Sequence, residues 1–483
     1  MESSNPKAAP ALSRFRTTAL IIACALLMEQ MDATVLATAL PAMARTFGVS
    51  PLYMSSALTA YLLGLALFIP ASGYLADRFG ARRVFCLAIV IFTAGSILCG
   101  QAGNLPFLVA ARLFQGMGGA MMVPVGRLVL LRTVDARDMV SAMAWFTVPA
   151  LIGPVVGPPL GGFLVTYLSW RWIFYINVPF GILGFGLSLR YIENLKEPEP
   201  GGFDLAGFVL SSASLACLMY GLEMANRGGD SVRSIALVLV LGLGAGLAYL
   251  LHARRMDNPI LDLRLMGIPT FRLSVLGGSL FRITGGALPF LLPMMLQLGF
   301  GLTAARSGIV TVSTAVGAFL MKIVTEPILR RYGFRRTLVW NGAVATALVA
   351  ACALFRPGWP MVLIYAVLLA GGFFQSLQWT ALNTIAYADV PQPRMSAATS
   401  FYATFQQLTL SLGICVASAV LALSIHLYGH HGPQLPDFTV AFLVVTGISF
   451  LSSPMCARLP AEAGAAMSGH VVEVTSGLPE SVG

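Results

Sequence analysis

Apolar residues dominate fourteen stretches of this chain, and charged residues cluster in the short segments between them. Most stretches contain roughly the 20 residues that an α-helix needs to cross a bilayer core of about 30 Å. Backbone groups find no water in that core, so the pattern predicts an all-α polytopic membrane protein. The predicted spans are residues 17–40, 53–75, 84–102, 105–131, 139–167, 171–191, 204–223, 234–252, 272–296, 306–329, 336–355, 360–387, 396–424 and 438–457.

The composition of the 483-residue chain supports this prediction. Hydrophobic residues make up 57% of the chain, charged residues make up only 10%, and the mean hydropathy is +0.80. Soluble domains carry about a quarter charged residues. The composition therefore excludes a soluble protein.

Lys and Arg residues are distributed unequally between the two sets of connecting segments. If the N-terminus is cytoplasmic, twenty of the thirty fall on the cytoplasmic side, six on the other side and four within spans. Basic residues are retained in cytoplasmic loops, so both termini are predicted to be cytoplasmic. The asymmetry accounts for the net charge of +10, and nothing else indicates a nucleic-acid partner. The first apolar run is too long for a signal-peptide core and is expected to remain as a helix.

Cysteine and histidine patterns indicate no metal site. The seven cysteines lie in apolar segments without paired spacing, so free, buried thiols are expected. His430 and His431 adjoin in a short external loop without thiol or carboxylate company and are expected to be solvated. Residues 458–483 are rich in Gly, Ser, Ala and Glu and are predicted to form a disordered cytoplasmic tail.

A sequence repeat divides the chain into two halves. The segment "LADRFGARR" (75–83) returns as "ILRRYGFRR" (328–336), and "LFQG" (113–116) has a weaker counterpart in "FFQS" (373–376). Repeated bundles around a central site are the architecture of alternating-access transporters. The predicted domains are a cytoplasmic segment (1–16), a six-helix bundle (17–191), a linker with two inserted transmembrane helices (192–271), a second six-helix bundle (272–457) and the tail.

Several motifs resemble those of the major facilitator superfamily. The segment "GYLADRFGARRVF" (73–85) is similar to the family's loop signature, and "LVAARLFQGMGGA" (108–120) is similar to its helix-four motif. The segment "GPVVGPPLGG" (153–162) resembles the helix-five antiporter motif, and "WRWIFYINVPFG" (170–181) is typical of the fourteen-helix drug:proton antiporters of the EmrB/QacA type. Within that type, nearly the whole chain resembles the MdtD- and HsrA-like bacterial members. Ala37 departs from the family, whose first-helix motif often has Asn at this position.

The resemblance implies a major facilitator fold and a multidrug efflux protein in a bacterial plasma membrane, driven by the proton gradient and without a cofactor. Its partners are then a small-molecule substrate, protons and the bilayer, while a periplasmic adaptor protein is left open. The resemblance also implies that the loop signature closes the cytoplasmic side through charge contacts of Asp77. The residues implied in this gate are Gly73, Asp77, Arg78, Gly80, Arg82 and Arg83. Arg330 replaces Asp77 in the repeat copy, so the latch is expected in one half only.

The antiporter motif combines residues that bend a helix with residues that let helices approach closely. Proline removes a backbone donor and disturbs the preceding turn, whereas glycine removes the side chain that keeps two backbones apart. A hinge in span five is therefore expected. Its residues are Gly153, Pro154, Gly157, Pro158, Gly161 and Gly162.

Two carboxyl groups lie within the first span. At a rise of about 1.5 Å per residue, Asp32 lies roughly 22 Å from the cytoplasmic end, at the level of Arg112 in span four. Glu29 lies one turn away on nearly the same face. Intramembrane charges mark ion or proton pathways, so Asp32 is predicted as the principal proton-coupling acid and Arg112 as the cation that tunes it. Glu29 is predicted as an auxiliary proton carrier or substrate contact, and a static Asp32–Arg112 pair is the alternative.

The second half contains cations within its spans instead. Arg282 lies near the middle of span nine, and Lys322 in span ten has a stem long enough to extend toward the cytoplasmic interface. Together with polar residues of spans twelve and thirteen, they are predicted to line a substrate site. These polar residues are Gln375, Gln378, Asn383 and Gln406. Such a site suits an anionic or zwitterionic metabolite, or a metal chelate, at least as well as a bulky cation.

Other function classes lack their motifs in this sequence. No G-x-S-x-G or H-E-x-x-H motif indicates an enzyme, and no Walker-type loop indicates transport driven by ATP. The predicted function is proton-coupled efflux by alternating access. The alternative is export of one specific anionic or zwitterionic substrate with little or no multidrug activity.

Overall fold

A computed structural model describes residues 8–133, 139–194, 196, 202–227, 231–256, 259–391 and 394–468. These residues form helices and connecting turns, and no strand occurs among them. The longer helices are α1 (Ala8–Phe47), α2 (Ser55–Phe79), α3 (Ala81–Gln101), α4 (Leu105–Thr133), α5 (Met139–Tyr167), α7 (Asn177–Tyr191), α8 (Leu205–Arg227), α9 (Val232–Ala253), α10 (Pro269–Met294), α11 (Ala304–Ala351), α12 (Met361–Ile385), α13 (Met395–Tyr428) and α14 (Leu435–Phe450). Shorter helical turns are Pro51–Met54, α6 (Trp172–Tyr175), Leu263–Gly267, Met295–Gly299, Cys352–Leu354, α15 (Ser452–Cys456) and α16 (Ala465–Ser468).

Twelve segments of the described chain are long and apolar enough to cross a membrane. One of them, Ala304–Leu354, contains 51 residues and carries both predicted spans 306–329 and 336–355. The helix α5 contributes only the shorter apolar stretch Val155–Tyr167. The predicted count of fourteen spans is therefore not confirmed and stays a prediction.

Two glycines of the repeated loop signature interrupt the helices at equivalent positions. Gly80 ends α2 with φ 95°, and Gly333 breaks α11 with φ 68°. Glycine adopts a positive φ at no steric cost, whereas other L-residues rarely do. The sequence repeat thus coincides with a repeated backbone feature.

The helices of the two halves pack in corresponding pairs. In the first half α1 packs on α5 and α2 on α4, and in the second half α10 packs on α13 and α11 on α12. Between the halves, α2 packs on α13 and α5 on α11. The sequence repeat makes α2 of the first half the counterpart of α11 in the second half, and the packing makes α5 the counterpart of α13. The contact of α2 with α13 and the contact of α5 with α11 are therefore equivalent. Their interface encloses the central region of the molecule.

Side-chain contacts define two opposite faces of the helical assembly. At the first face, Ile22 in the first half of α1 and Phe85 near the start of α3 both lie beside Gly126 of α4. At the second face, Phe47 at the end of α1 packs edge-on against Trp170 with ring centroids 5.5 Å apart.

Hydrogen bonds join the two halves near the second face. Gln297 Nε2 donates to the Thr38 carbonyl oxygen at 3.0 Å, and the Ser55 hydroxyl donates to that of Ser418 at 3.3 Å. A Cβ added to Gly162 of α5 would lie only 2.4 Å from the carbonyl oxygen of Ala304 on α11. The halves are therefore in close contact near the second face.

The helices α8 and α9 form a separate pair at the periphery, and α8 also contacts α2 and α13. Large apolar residues of this pair are exposed, including Leu237, Leu241 and Leu247. Asp204 and His252 fasten the pair at one end, since Asp204 Oδ1 lies 2.7 Å from His252 Nε2. The exposed apolar surface fits a position in contact with lipid.

Part of the predicted disordered tail packs on the second half, which differs from the prediction. Leu459 and Ala463 are buried, and Gly464 lies against Ile385 of α12 and Phe334 of α11. These apolar residues have a surface to cover, whereas the prediction was based on overall composition. Residues 1–7 of the predicted N-terminal segment and residues 469–483 of the tail lie outside the described chain.

Candidate functional site

The carboxylate of Asp32 and the guanidinium of Arg112 meet inside the first half. Arg112 Nη1 donates to Asp32 Oδ2 at 2.5 Å, and the Arg112 and Asp32 side chains are 0% and 1% exposed. Arg112 Nε also donates to the Ala57 carbonyl oxygen at 3.3 Å, and its guanidinium carbon lies 4.3 Å from the centre of the Tyr61 ring. The two charges that the sequence placed at one level are thus in direct contact.

Three polar residues that the sequence analysis did not select complete this cluster. Gln115 Nε2 donates to Asp32 Oδ1 at 2.9 Å and to the Ser96 hydroxyl at 2.8 Å, while Gln115 Oε1 accepts from Arg112 Nη1 at 2.7 Å. Asn177 Nδ2 donates to the same Asp32 oxygen at 3.0 Å. Asp32 therefore accepts from three donors. Gln115 and Asn177 lie in the motifs "LFQG" and "WRWIFYINVPFG", and their polarity within apolar spans was the available signal.

Glu29 lies one turn from Asp32 on α1 but does not share its hydrogen bonds. The side chain is buried, and no donor in the described part of the chain lies within hydrogen-bond distance of Glu29 Oε2. An unpaired carboxylate is costly to bury in its ionised form. The two acids of span one therefore occupy different environments.

A cavity of about 530 Å³ lies between the two halves. Residues of α1, α5, α10, α11, α12 and α13 line it, and its wall is mostly apolar. Lys322 and Gln375, two of the predicted substrate contacts, are among the lining residues, and no acidic residue is among those described. The polar lining residues are Gln30, Thr34, Thr38, Thr311, Thr314, Lys322, Gln375 and Ser376.

Arg282 lies behind the cavity wall and does not line it. Its side chain donates through Nη2 to Asn383 Oδ1 at 3.0 Å and to the Tyr402 hydroxyl at 2.5 Å. Its guanidinium carbon lies 5.1 Å from the centre of the Trp379 ring, and Trp379 lines the cavity. Two predicted substrate contacts, Arg282 and Asn383, therefore contact each other beside the cavity.

Gln378 and Gln406 lie outside the residues that line the cavity. Gln378 is fully buried and turned toward α11, where it accepts from Asn341 Nδ2 at 2.9 Å and donates to the Leu338 carbonyl oxygen at 3.0 Å. Gln406 is partly buried on α13. Their position along the span was predictable, but the side of the helix on which they lie depends on packing.

The glycines of the antiporter motif bring α5 against its neighbours. Three of them, spaced four residues apart, face three residues of α1 with the same spacing, and Gly162 faces α11. An added Cβ at Gly157 would lie 2.0 Å from the Thr34 hydroxyl oxygen. The facing pairs are Gly153 with Gln30, Gly157 with Thr34 and Gly161 with Thr38. The close packing expected from these residues is present, whereas the hinge stays a prediction.

The prolines of this motif are described in part. Pro158 lines the cavity, and its carbonyl oxygen would lie 2.3 Å from a Cβ added to Gly308 on α11. The side chain of Pro154 lies outside the described part of the chain. The helix α5 runs from Met139 to Tyr167.

The loop signature lies at the first face, where α2 meets α3. Arg82 Nη1 donates to the Ile192 carbonyl oxygen at 3.5 Å, and the Arg83 backbone N–H donates to Asn194 Oδ1 at 3.3 Å. These contacts tie the signature to the segment that follows α7. Asp77 is partly buried on α2, whereas Gly73 and Arg78 are exposed.

His430 differs from the solvated residue that the sequence predicted. His430 Nδ1 lies 2.8 Å from Asp437 Oδ2, and Asp437 is fully buried. Asp437 also accepts from the Ser424 hydroxyl at 2.6 Å and from the Gln434 backbone N–H at 2.9 Å. Asp437 lies in the first turn of α14 and caps it, so His430 has a carboxylate partner that the sequence analysis did not select. All seven cysteines are free, and the described residues hold no group of three or more His, Cys, Asp or Glu side chains arranged for a metal.

Comparison with known families accounts for the fold and the motifs. The profile of the Major Facilitator Superfamily matches residues 22–414 and 274–471. The chain belongs to the major facilitator superfamily. It is therefore a multi-pass integral membrane transporter for small molecules and not an enzyme.

Relatives of the chain extend this assignment. A protein named "Putative multidrug resistance protein MdtD" from Pectobacterium atrosepticum is 38% identical over 445 residues, which cover 91% of this chain and 95% of the relative. A protein of the same name from Salmonella heidelberg is 39% identical over 406 residues, covering 83% and 86%. Each match thus extends over most of this chain and most of the relative.

Solved structures with the same fold have much lower sequence identity. A point mutant of the nucleoside transporter NupG matches with a TM-score of 0.61 and 16% identity, covering 91% of this chain and 98% of that one. A bacterial homologue of the human lysosomal transporter Spinster, in an inward-facing and unoccupied conformation, matches with a TM-score of 0.60 and 16% identity, covering 94% and 99%. These structures support the fold alone.

Proposed function

We propose that this transporter exports small molecules across the bacterial plasma membrane in exchange for protons. The observation that carries the proposal is the pair of buried acids in α1, of which Asp32 is held by three donors and Glu29 Oε2 by none. Charged residues within membrane spans mark ion and proton pathways. The names of the MdtD relatives favour drugs as substrates.

Glu29 is the better candidate for the exchangeable proton in this arrangement. An acid that is already held by a guanidinium and two amides loses those interactions when it binds a proton, whereas an acid without donors has little to lose. Glu29 directly precedes Gln30 in the sequence, and Gln30 lines the central cavity. Asp32 and Arg112 then fix the position of α1 and set the charge near Glu29.

The transport cycle follows from alternating access of the central cavity. With both termini cytoplasmic, the first face is the cytoplasmic face, and the contacts near the second face close the periplasmic side. Substrate enters from the cytoplasm and leaves after the halves rock about the cavity. Proton uptake at Glu29 from the periplasmic side then favours the return. The loop signature with Asp77 closes the cytoplasmic face in the outward-facing state, and the glycines of α5 provide the moving contact.

The finer architecture belongs to the same proposal. Fourteen spans form two six-helix bundles (17–191 and 272–457) joined by a linker with two inserted helices (192–271). The break at Gly333 supports two spans within α11, and the 29 residues of α5 are enough for one more. The peripheral pair α8 and α9 supplies the two inserted helices. A periplasmic adaptor protein stays an open part of the proposal.

One observation favours a second candidate function, export of a specific anionic or zwitterionic metabolite or a metal chelate. Lys322 lines the central cavity, and no acidic residue is among its described lining residues. A lipophilic cation would find no counter-charge on this wall. A substrate with an acidic group would find one.

Proton release in everted membrane vesicles tests the proposed function. Respiration acidifies the vesicle lumen, and a substrate that enters in exchange for protons raises a pH-sensitive dye signal. Lipophilic cations and small anionic chelates serve as the two substrate panels. Wild type should respond to one panel, Glu29→Gln should not respond, and the exposed-site control Glu462→Gln should match wild type. An unchanged response in both Glu29→Gln and Asp32→Asn would refute proton coupling through span one.

A further inference from the structure

A second, smaller cavity of about 270 Å³ adjoins the central cavity toward the first face. Lys322 lines both cavities, so the two spaces meet at its side chain. Met467 of α16 and Phe334, next to the Gly333 break, line the smaller cavity on the side of the first face. A molecule that moves from the first face to the central cavity by this route passes Lys322.

Two opposite charges line the smaller cavity without neutralising each other. Lys322 and Glu326 lie one turn apart on α11 and are both exposed. Neighbouring residues at this spacing commonly form ion pairs. Neither residue takes part in any ion pair found between described side chains. Each charge is therefore open to a ligand.

The hydrogen-bonding capacity of the cavity wall is only partly used. Lys322 Nζ donates to the Thr380 hydroxyl at 2.6 Å, which leaves two of its three N–H groups for another acceptor. The Thr325 hydroxyl donates to the Met321 carbonyl oxygen at 2.8 Å. The Thr384 hydroxyl donates to the Thr380 carbonyl oxygen, also at 2.8 Å. Neither the Thr325 nor the Thr384 hydroxyl oxygen accepts a hydrogen bond from a described donor. The remaining capacity is a cation with free N–H groups, a carboxylate and two hydroxyl acceptors.

Apolar side chains complete the wall of the smaller cavity. Leu329, Phe334 and Met467 lie on the side of the first face. A ligand that satisfies the whole wall carries an acidic group for Lys322, an ammonium group for Glu326 and a small apolar body. An anion alone leaves Glu326 without a partner, and a cation alone leaves Lys322 without one.

We propose that the smaller cavity, between Lys322 and Glu326, is an access site that selects small zwitterions with an apolar side group, such as amphipathic amino acids. The proposal rests on the proposed function and specifies its substrate class. Lys322 binds the acidic group and passes it to the central cavity, where it is the cation among the lining residues described above. Glu326 holds the ammonium group only in the smaller cavity and thereby excludes simple anions from the route.

Three probes with one apolar body and different charges test this selectivity. They are L-phenylalanine, 3-phenylpropanoate and 2-phenylethylamine, which are a zwitterion, an anion and a cation. Their equilibrium binding is measured on the purified full-length protein in lipid nanodiscs at neutral pH. Wild type should bind L-phenylalanine about tenfold more tightly than either singly charged probe, since a hydrogen-bonded charge contact contributes about that factor.

Substitutions should separate the two charges. Lys322→Gln should lower the affinity for L-phenylalanine and 3-phenylpropanoate about tenfold, and Glu326→Gln should reduce L-phenylalanine to the affinity of 3-phenylpropanoate. Lys196→Gln and Glu462→Gln, which neutralise exposed residues elsewhere, should match wild type. Thermal unfolding of each variant establishes that it is folded, and Glu326→Asp should retain part of the selectivity.

Three results would overturn the proposal. They are equal binding of the three probes by wild type, preference for a singly charged probe, and unchanged L-phenylalanine affinity in folded Glu326→Gln. The binding measurement needs no proton gradient. If the wild-type protein releases no protons in vesicles but binds L-phenylalanine selectively in nanodiscs, the result counts against the proposed function and not against this site.

Discussion

Arg112 Nη1 lies 2.5 Å from Asp32 Oδ2, although the two residues are 80 positions apart in the sequence. Both side chains are shielded from solvent, and Gln115 contacts each of them. A buried ion pair contributes little net stability, but removal of one partner leaves an uncompensated charge. The contact thus makes the position of α1 depend on α4 whatever its role in transport.

Removing the Arg112 charge should destabilise the protein strongly. Arg112→Met is expected to lower the free energy of unfolding by about 3–5 kcal/mol, because the Asp32 carboxylate stays buried without its cation. The double variant Asp32→Asn/Arg112→Met should recover part of this loss. Chemical denaturation in mixed micelles measures both values. Equal stabilities for the single and double variants would show that the unpaired Asp32 carboxylate is not the cause of the loss.

Glu29 should control the pH dependence of substrate binding. If a proton and the substrate compete through Glu29, wild-type affinity falls as the pH falls, because the protonated state accumulates. Glu29→Gln should bind with an affinity that varies little with pH, since glutamine does not titrate. Titrations of purified protein across mildly acidic to mildly alkaline pH measure this slope. A slope in Glu29→Gln equal to that of wild type would assign the competing proton to another group.

The glycines of the repeated loop signature should tolerate no side chain. Gly80→Ala and Gly333→Ala are each expected to cost about 1–2 kcal/mol, because alanine is strained at a positive φ. Gly73→Ala is the matched control, since an added Cβ there meets no atom within 4 Å. Melting temperatures of the three variants measure the difference. A control as unstable as the other two would remove the conformational explanation.

The contact between Gly157 of α5 and Thr34 of α1 should be sensitive to a single methyl group. Gly157→Ala is expected to destabilise the protein by about 1–3 kcal/mol, as overpacking does elsewhere, because the new Cβ meets the Thr34 hydroxyl. Thr34→Ala in the same chain should recover part of the loss. A double-mutant cycle on unfolding free energies tests the coupling. Strict additivity would place the steric conflict elsewhere.

A covalent link near the second face should stop transport. The hydroxyl oxygens of Ser55 and Ser418 lie 3.3 Å apart across the two halves. In a variant without the seven native cysteines, Ser55→Cys/Ser418→Cys should form a disulfide that holds the halves together and blocks the cycle. Reductant should restore transport, and either single cysteine should remain active. Full activity of the oxidised, cross-linked protein would mean that these contacts do not open during transport.

Local properties of the sequence determined the positions of the elements. Hydropathy located the twelve long apolar segments of the described chain, because apolar length is a property of contiguous residues. The constant rise of a helix placed Asp32 and Arg112 at one level, and both Gly80 and Gly333 were identifiable from the repeated motif. These features depend on the segment itself and not on its neighbours.

Tertiary packing decided which side of each helix faces a partner. Gln378 turns toward Asn341 of α11, and Arg282 lies behind Trp379. Asp32 accepts a hydrogen bond from Asn177 of α7, which is 145 positions away in the sequence. Glu29 and Asp32 are one turn apart in one span, and only the arrangement of α3, α4 and α7 around them leaves one acid held by donors and the other without them. Helix rotation is set by non-local side-chain contacts, so the sequence determines the depth of each polar group but not its partner.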